Sequence, residues 1–158
     1  VGSATLWEGA LSIRRFDYAS NQDYSGVLSA LDIQRTRFLS PTAFWRLTVG
    51  AADNAASADY QSYRSGSIGA GYFTTLPLGL SAYGAITVMQ RRYEGAQPFF
   101  NVHRRDNNTA LLARFTKRDF TLRGFAPYLE ATIEHNASNV GLYKYDRQRV
   151  QFGVSRSF

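Results

Sequence analysis

Glu130, Glu134 and His135 are the nearest this sequence comes to a catalytic set. Two carboxylates four residues apart could divide general acid and general base duties between them, and a neighbouring imidazole could relay the proton. The residues around them decide against it. Leu129, Ala131 and Ile133 alternate with Tyr128, Glu130, Thr132 and Glu134, which is the period of a strand with one apolar and one polar face. On such a strand both glutamates lie on one face and His135 on the other, so the three do not converge. With arginines on the neighbouring alternating runs, ion pairing is the reading for Glu130 and Glu134. The other histidine, His103, stands beside Arg104 in an expected loop, and neither histidine is placed as a base. No Ser, Asp and His fall into a nucleophile motif. Gly69, Ala70 and Gly71 lie within an alternating run and open no helix, so they read as small residues easing packing in a strand, not as a phosphate-binding loop. With no cysteine, neither a disulfide framework nor a thiolate metal site is available. The expectation is a protein that is not an enzyme and has no cofactor or metal.

The charged residues instead follow the period of the strands. Arg46, Arg114, Glu130 and Glu134 all take the polar parity of their runs, as do Glu8, Arg14, Asp32, Arg91, Arg147 and Arg149. Mixed charges on one face are prohibitive in a dry core, but they can pair with each other or line water inside a barrel. The four first named are therefore expected to face a lumen. The runs that carry them number eight: residues 5–18, 24–38, 43–51, 63–75, 80–93, 106–119, 125–136 and 145–158. The last has Val150, Phe152 and Val154 on its apolar parity and ends on the aromatic Phe158. An alternating final strand closed by Phe is how bacterial outer-membrane barrels end, and Phe158, Val154 and Phe152 are expected to form the signal read by the barrel assembly machinery. The fold expected is all-β, an antiparallel transmembrane β-barrel built as a meander, occupying residues 1–158 as one domain.

Composition agrees. Thirteen glycines against four prolines, with 15% aromatics, suit many strands joined by turns. No run of eighteen apolar residues is present, and a mean hydropathy of −0.29 does not argue against a membrane, because only alternate residues of a barrel strand touch lipid. The net charge of +6 is spread over nearly every run, without a basic block or helix, which argues against nucleic acid. Outer-membrane lipids, lipopolysaccharide phosphates and a polar lumen are the expected counterparts. The sequence begins at Val1 with no charged-then-apolar leader, so targeting information is expected upstream.

Link lengths give a direction. If residue 158 is periplasmic, the links at 39–42, 76–79 and 120–124 are periplasmic and those at 19–23, 52–62, 94–105 and 137–144 are external. Apart from 19–23 the external ones are longer, as outer-membrane barrels require. Aromatics near the run ends, among them Phe38, Phe44, Trp45, Tyr72, Phe73, Tyr93, Phe125, Tyr128 and Tyr145, are expected to form two interfacial girdles.

Particular motifs carry a resemblance. Arg104-Arg105-Asp106, the Gly-Phe-Ala-Pro of residues 124–127, the segment 136–139, Tyr143-Lys144-Tyr145-Asp146-Arg147 and the closing residues 153–158 resemble the C-terminal barrel of the surface lipoprotein assembly modifier family. The resemblance implies an outer-membrane translocon that delivers lipoproteins to the surface of Gram-negative cells, with a periplasmic tetratricopeptide-repeat domain preceding a barrel of about fourteen strands. The eight runs would then be the C-terminal part of that barrel, and the surface lipoprotein its partner. Two alternatives stand beside it. A free-standing small eight-strand barrel would act in adhesion or anchoring, and an outer-membrane lipid-modifying enzyme would need a convergent catalytic set that no face supplies.

Overall fold

The computed structural model describes residues 4–120 and 124–156. Within them lie eight strands: β1 (Thr5–Phe16), β2 (Gly26–Ser40), β3 (Ala43–Ala56), β4 (Tyr63–Thr75), β5 (Leu80–Ala96), β6 (His103–Lys117), β7 (Phe125–Ser138) and β8 (Tyr145–Arg156). Helix is confined to two single 3-10 turns, Gln22–Tyr24 and Gly141–Tyr143. The strands form one antiparallel sheet in sequence order, each paired with its neighbours in the chain. The meander is therefore as expected. Among the described residues β1 pairs only with β2 and β8 only with β7, so the sheet is open at two edges.

Strand alternation sorts the side chains by polarity, and the sorting is inside out. On β2 to β7 the buried strand side chains take the polar parity, among them Thr36, Ser81, Asp106, Asn108, Glu130 and Asn136, whereas on the edge strands β1 and β8 both faces are largely exposed. Those on the other parity are exposed, including Trp7, Leu11, Ile13, Val49, Ile68, Val150 and Phe152. A single-layer sheet buries one face only by curling around it. Here the face it curls around is the polar one.

The apolar zone does not run square to the strands. The directly paired row Leu11, Leu31, Ala51, Gly66, Gln90, Asn107, Ala137 begins apolar at β1 and turns polar by β5. The row reaching back from Phe152 through Leu129, Phe115 and Ala82 to Thr74 is apolar at the β8 end. On β7 these rows are separated by the stretch from Leu129 to Ala137, so the centre of the apolar zone slips by about one residue per strand.

The links differ most from the expectation in three places. Those at 52–62 and 94–105 shrink to 57–62 and 97–102, because β3 continues to Ala56 and β5 and β6 reach Ala96 and His103. The small residues 52–56 show no period of their own. They stay in the ladder because β2 pairs with all five and β4 with residues 52–54, as in Ala55 opposite Val27 and Asp53 opposite Arg64. The third difference is the β1–β2 link, expected to be short, which extends over 17–25. On the opposite rim the links are 41–42, 76–79 and 118–124, so the contrast in length between rims is smaller than the sequence implied.

The two-girdle expectation is corrected by parity. Phe38, Phe44 and Phe73 fall on the polar face, where Phe38 meets Phe44 edge-to-face at 5.7 Å between centroids and Phe44 stacks on Phe73 at 4.9 Å. Tyr93, Tyr128 and Tyr145 also take the polar face, opposite Tyr63, Gly153 and Asn136. Trp45, Tyr72 and Phe125 are left on the apolar face. A girdle requires outward parity as well as a place near the strand ends.

Candidate functional site

The polar face gathers its charge in two clusters, one at each rim. At the short-link rim one row of paired residues runs Phe38, Phe44, Phe73, Tyr83, Arg114, Glu130. Arg114 and Glu130 face each other directly, with Nε and Nη2 donating to Oε2 at 2.7 and 2.5 Å. The Glu130 side chain is 11% exposed and the Arg114 side chain 47%, so the carboxylate is enclosed while its cation keeps water on one side. Tyr128 adds a ring face 4.8 Å from the Arg114 guanidinium. Arg46 lies in the next row, donates to Thr36 Oγ1 at 3.2 Å and sits over the Phe44 ring at 5.3 Å. Arg46 and Arg114 line one concavity of about 310 Å³ with Phe44, Phe73, Tyr83 and Thr116. Close packing here depends on Gly71, whose missing side chain leaves the room that the Tyr83 ring occupies.

The long-link rim holds the second cluster. Glu134 accepts from Asn108 Nδ2 at 2.8 Å and from the Tyr145 hydroxyl at 2.5 Å, with Arg147 3.9 Å away on the facing strand. Beside it Arg104 forks onto Asp106, with donor to acceptor distances of 2.6 to 3.1 Å. The Arg104 guanidinium lies 3.3 Å from the centroid of Tyr143 and 4.4 Å from that of Tyr93. Arg91, 4.4 Å from Tyr63, completes a concavity of about 170 Å³ lined also by Asn136 and Met89.

Above this cluster the four links of this rim are tied in series. Tyr60 of the β3–β4 link donates to Asp23 of the β1–β2 link at 2.5 Å, and the Asp23 carboxylate holds the Tyr60 phenol above its ordinary pKa. Gln97 Nε2 of the β5–β6 link donates to the Tyr60 carbonyl at 3.0 Å, and Tyr143 of the β7–β8 link donates to Gln97 Oε1 at 3.2 Å. The rim is thus one hydrogen-bonded chain across all four links.

This arrangement lines one face of the sheet with polar groups paired to one another. Glu130 and Glu134 share a face, but four residues of strand place them ~13 Å apart and each has its own partners, so they do not act on one proton. His135 points to the apolar face, with Nδ1 2.6 Å from Asp146. Among the described residues no three His, Asp or Glu side chains gather as metal ligands. The four residues expected to face a lumen share the polar face, with Arg46, Arg114 and Glu130 toward the short-link rim and Glu134 toward the opposite one.

A family model described as surface lipoprotein assembly modifier matches residues 7–158. The chain belongs to that family. No curated protein and no solved structure matches it. In this assembly modifier chain, Phe152 and Val154 stand exposed on the apolar face of β8, and Phe158 lies outside the described residues. The residues the sequence reading missed are Arg104 and Asp106, assigned there to a loop and its margin. Their two-residue spacing puts them on one parity once β6 is started at His103, and that spacing was the available signal.

Proposed function

We propose that this chain forms part of the wall of an outer-membrane barrel through which surface lipoproteins are delivered, its apolar face toward lipid and its polar face toward the lumen. The observation that carries the reading is the inside-out sorting of side chains along a slanted boundary. A slip of about one residue per strand, ~3.3 Å along the strand against ~4.8 Å between strands, corresponds to a tilt of about 35°, within the range of membrane-barrel strands. On β4 the ten steps from Arg64 to Thr74 span ~33 Å along the strand and ~27 Å at that tilt, close to the apolar height of a barrel wall. The two open edges support a barrel wider than eight strands, because upstream strands would pair both β1 and β8. Family membership supports the cargo, and the paired but partly hydrated polar face suits a path that must not grip it.

The test is surface exposure of a candidate lipoprotein in cells with and without the full-length protein. Loss of external protease access to the lipoprotein, with its total amount unchanged, is the expected result. Undiminished display in cells lacking the protein rules out the role for that partner, and recovery of the protein in soluble fractions sinks the barrel itself.

A further inference from the structure

Resting on the membrane reading above, we propose that Arg35 and Arg37, framed by Trp7 and Trp45, bind the phosphate of a lipid headgroup at the short-link edge of the apolar face. The register interleaves the four residues across three strands: Trp7 is directly opposite Arg35, and Arg37 is directly opposite Trp45. The Arg35 guanidinium lies 5.3 Å from the Trp7 ring and 5.4 Å from the Trp45 ring, so its plane is held between two indoles. Its Nε is covered and has no hydrogen-bond partner. Neither arginine has an ion-pair partner among the described residues. The apolar face of β1 to β4 carries a single acid there, Asp53, which lies toward the opposite rim and is held by Arg64 at 3.0 Å.

Two cations without a counter-ion, at the margin of a face that meets hydrocarbon, call for an anion at the same depth. Residues two apart on a strand are separated by ~6.6 Å, so two guanidinium forks can converge on one phosphate from either side. Each indole has a ring for the upper acyl chain and an N–H for the headgroup, which is how tryptophan sits at an interface. At the other rim no tryptophan frames an arginine of this face, and although Arg15 and Arg105 lack an ion-pair partner among the described residues as well, two others are engaged. Arg64 is already shared between Asp53 and Glu94, and Arg92 donates to Gln90. A lipid is the occupant, and not free phosphate, because the two indoles and Leu47 beside them offer apolar contact that a small ion cannot use.

Trp7 and Trp45 are the two tryptophans of this sequence, so they report on the site they frame. The full-length protein in maltoside micelles is titrated with short-chain phosphatidylglycerol, with a galactolipid of equal acyl length that lacks phosphate, and with inorganic phosphate. The reading is the emission difference against W7F/W45F. Phosphatidylglycerol should bind at least about tenfold more tightly than the galactolipid, a preference lost in R35Q/R37Q and kept in R64Q/R92Q. R35K/R37K, which keeps charge but not the fork, should lower the preference without abolishing it. Equal binding of the two lipids, or a preference unchanged in R35Q/R37Q, overturns the proposal. Inorganic phosphate acting at the same concentration as the lipid overturns the lipid assignment. Should R35Q/R37Q fail to fold, native mass spectrometry of the wild-type protein decides, since absence of retained phosphatidylglycerol also overturns it. Protein that enters lipid nanodiscs yet shows no preference fails this proposal alone, whereas protein that does not enter them fails the barrel reading.

Discussion

Asp106→Asn is the substitution that tests most directly what holds the long-link rim together. Arg104 and Asp106 have side chains only 13% and 5% exposed, so removal of the carboxylate charge strands an enclosed guanidinium. Breaking a buried pair by removing one partner costs ~3–5 kcal/mol. Part of that is offset, because the rings of Tyr93 and Tyr143 remain on the guanidinium and cation–π contacts of this kind contribute ~1–2 kcal/mol. The expected net loss is therefore near the lower end, about 3 kcal/mol. In a double-mutant cycle with Arg104→Gln the two losses should overlap by about 2 kcal/mol or more, since either change alone leaves a lone buried charge. The assay is urea unfolding of the full-length protein in micelles, followed by the mobility difference between folded and unfolded barrel on gels. Cleavage in the link at 139–144 should accelerate in parallel, because Tyr143 rests on Arg104. A loss below about 1 kcal/mol, or additive single losses, would refute the claim that this pair is buried and coupled.

Glu130→Gln should cost less, about 1–2 kcal/mol, because the stranded Arg114 is half exposed and stays hydrated; a cost above ~3 kcal/mol in the same assay would mean a dry, closed lumen. Tyr60→Phe and Tyr143→Phe each cut the series of bonds that joins the four links, and protease nicking at 57–62 and 97–102 should increase with little change in global stability. Equal nicking in wild type and variants would show the ties to be passive. An epitope inserted within 57–62 should be labelled on intact cells and one inserted at Pro77 should not, and the reverse pattern would overturn the strand directions.

The strands and their faces were legible in the sequence because a period of two survives wherever one face must be apolar. Trp7 to Ile13 on β1 and Val150 to Val154 on β8 could be assigned by parity alone, and the register agrees. Strand ends were harder to place where small side chains removed the contrast: residues 52–56 look like a loop by composition and are strand by pairing. Aromatic position misled for a related reason. Phe44 and Trp45 are neighbours in sequence, yet Phe44 packs against Phe38 and Phe73 on the polar face while Trp45 meets Arg35 on the apolar one. The separation of Glu134 from Glu130 followed from strand rise and was readable. The fork of Arg104 onto Asp106 was not, because it depended on starting β6 three residues earlier than the turn-rich segment suggested.

What stabilises such a sheet must be sought outside a conventional core, since Tyr93 and Val140 are the buried hydrophobic residues among those described. In water the exposed apolar face would cost free energy in proportion to its area, and a one-layer sheet has nothing to cover it with. In hydrocarbon that cost vanishes, and the seven antiparallel pairings satisfy the backbone without help from solvent. The same move makes the two open edges more costly, because each unpaired N–H or C=O on β1 or β8 then lacks water at a cost of several kcal/mol. The environment that relieves the face therefore demands closure of the edges. A membrane location and a barrel wider than these eight strands are in that sense one proposal, and strand-specific crosslinking of β1 and β8 to the rest of the full-length protein tests both together: crosslinks from both edges to upstream strands are expected, whereas a direct β1 to β8 crosslink would return the chain to a closed eight-strand barrel.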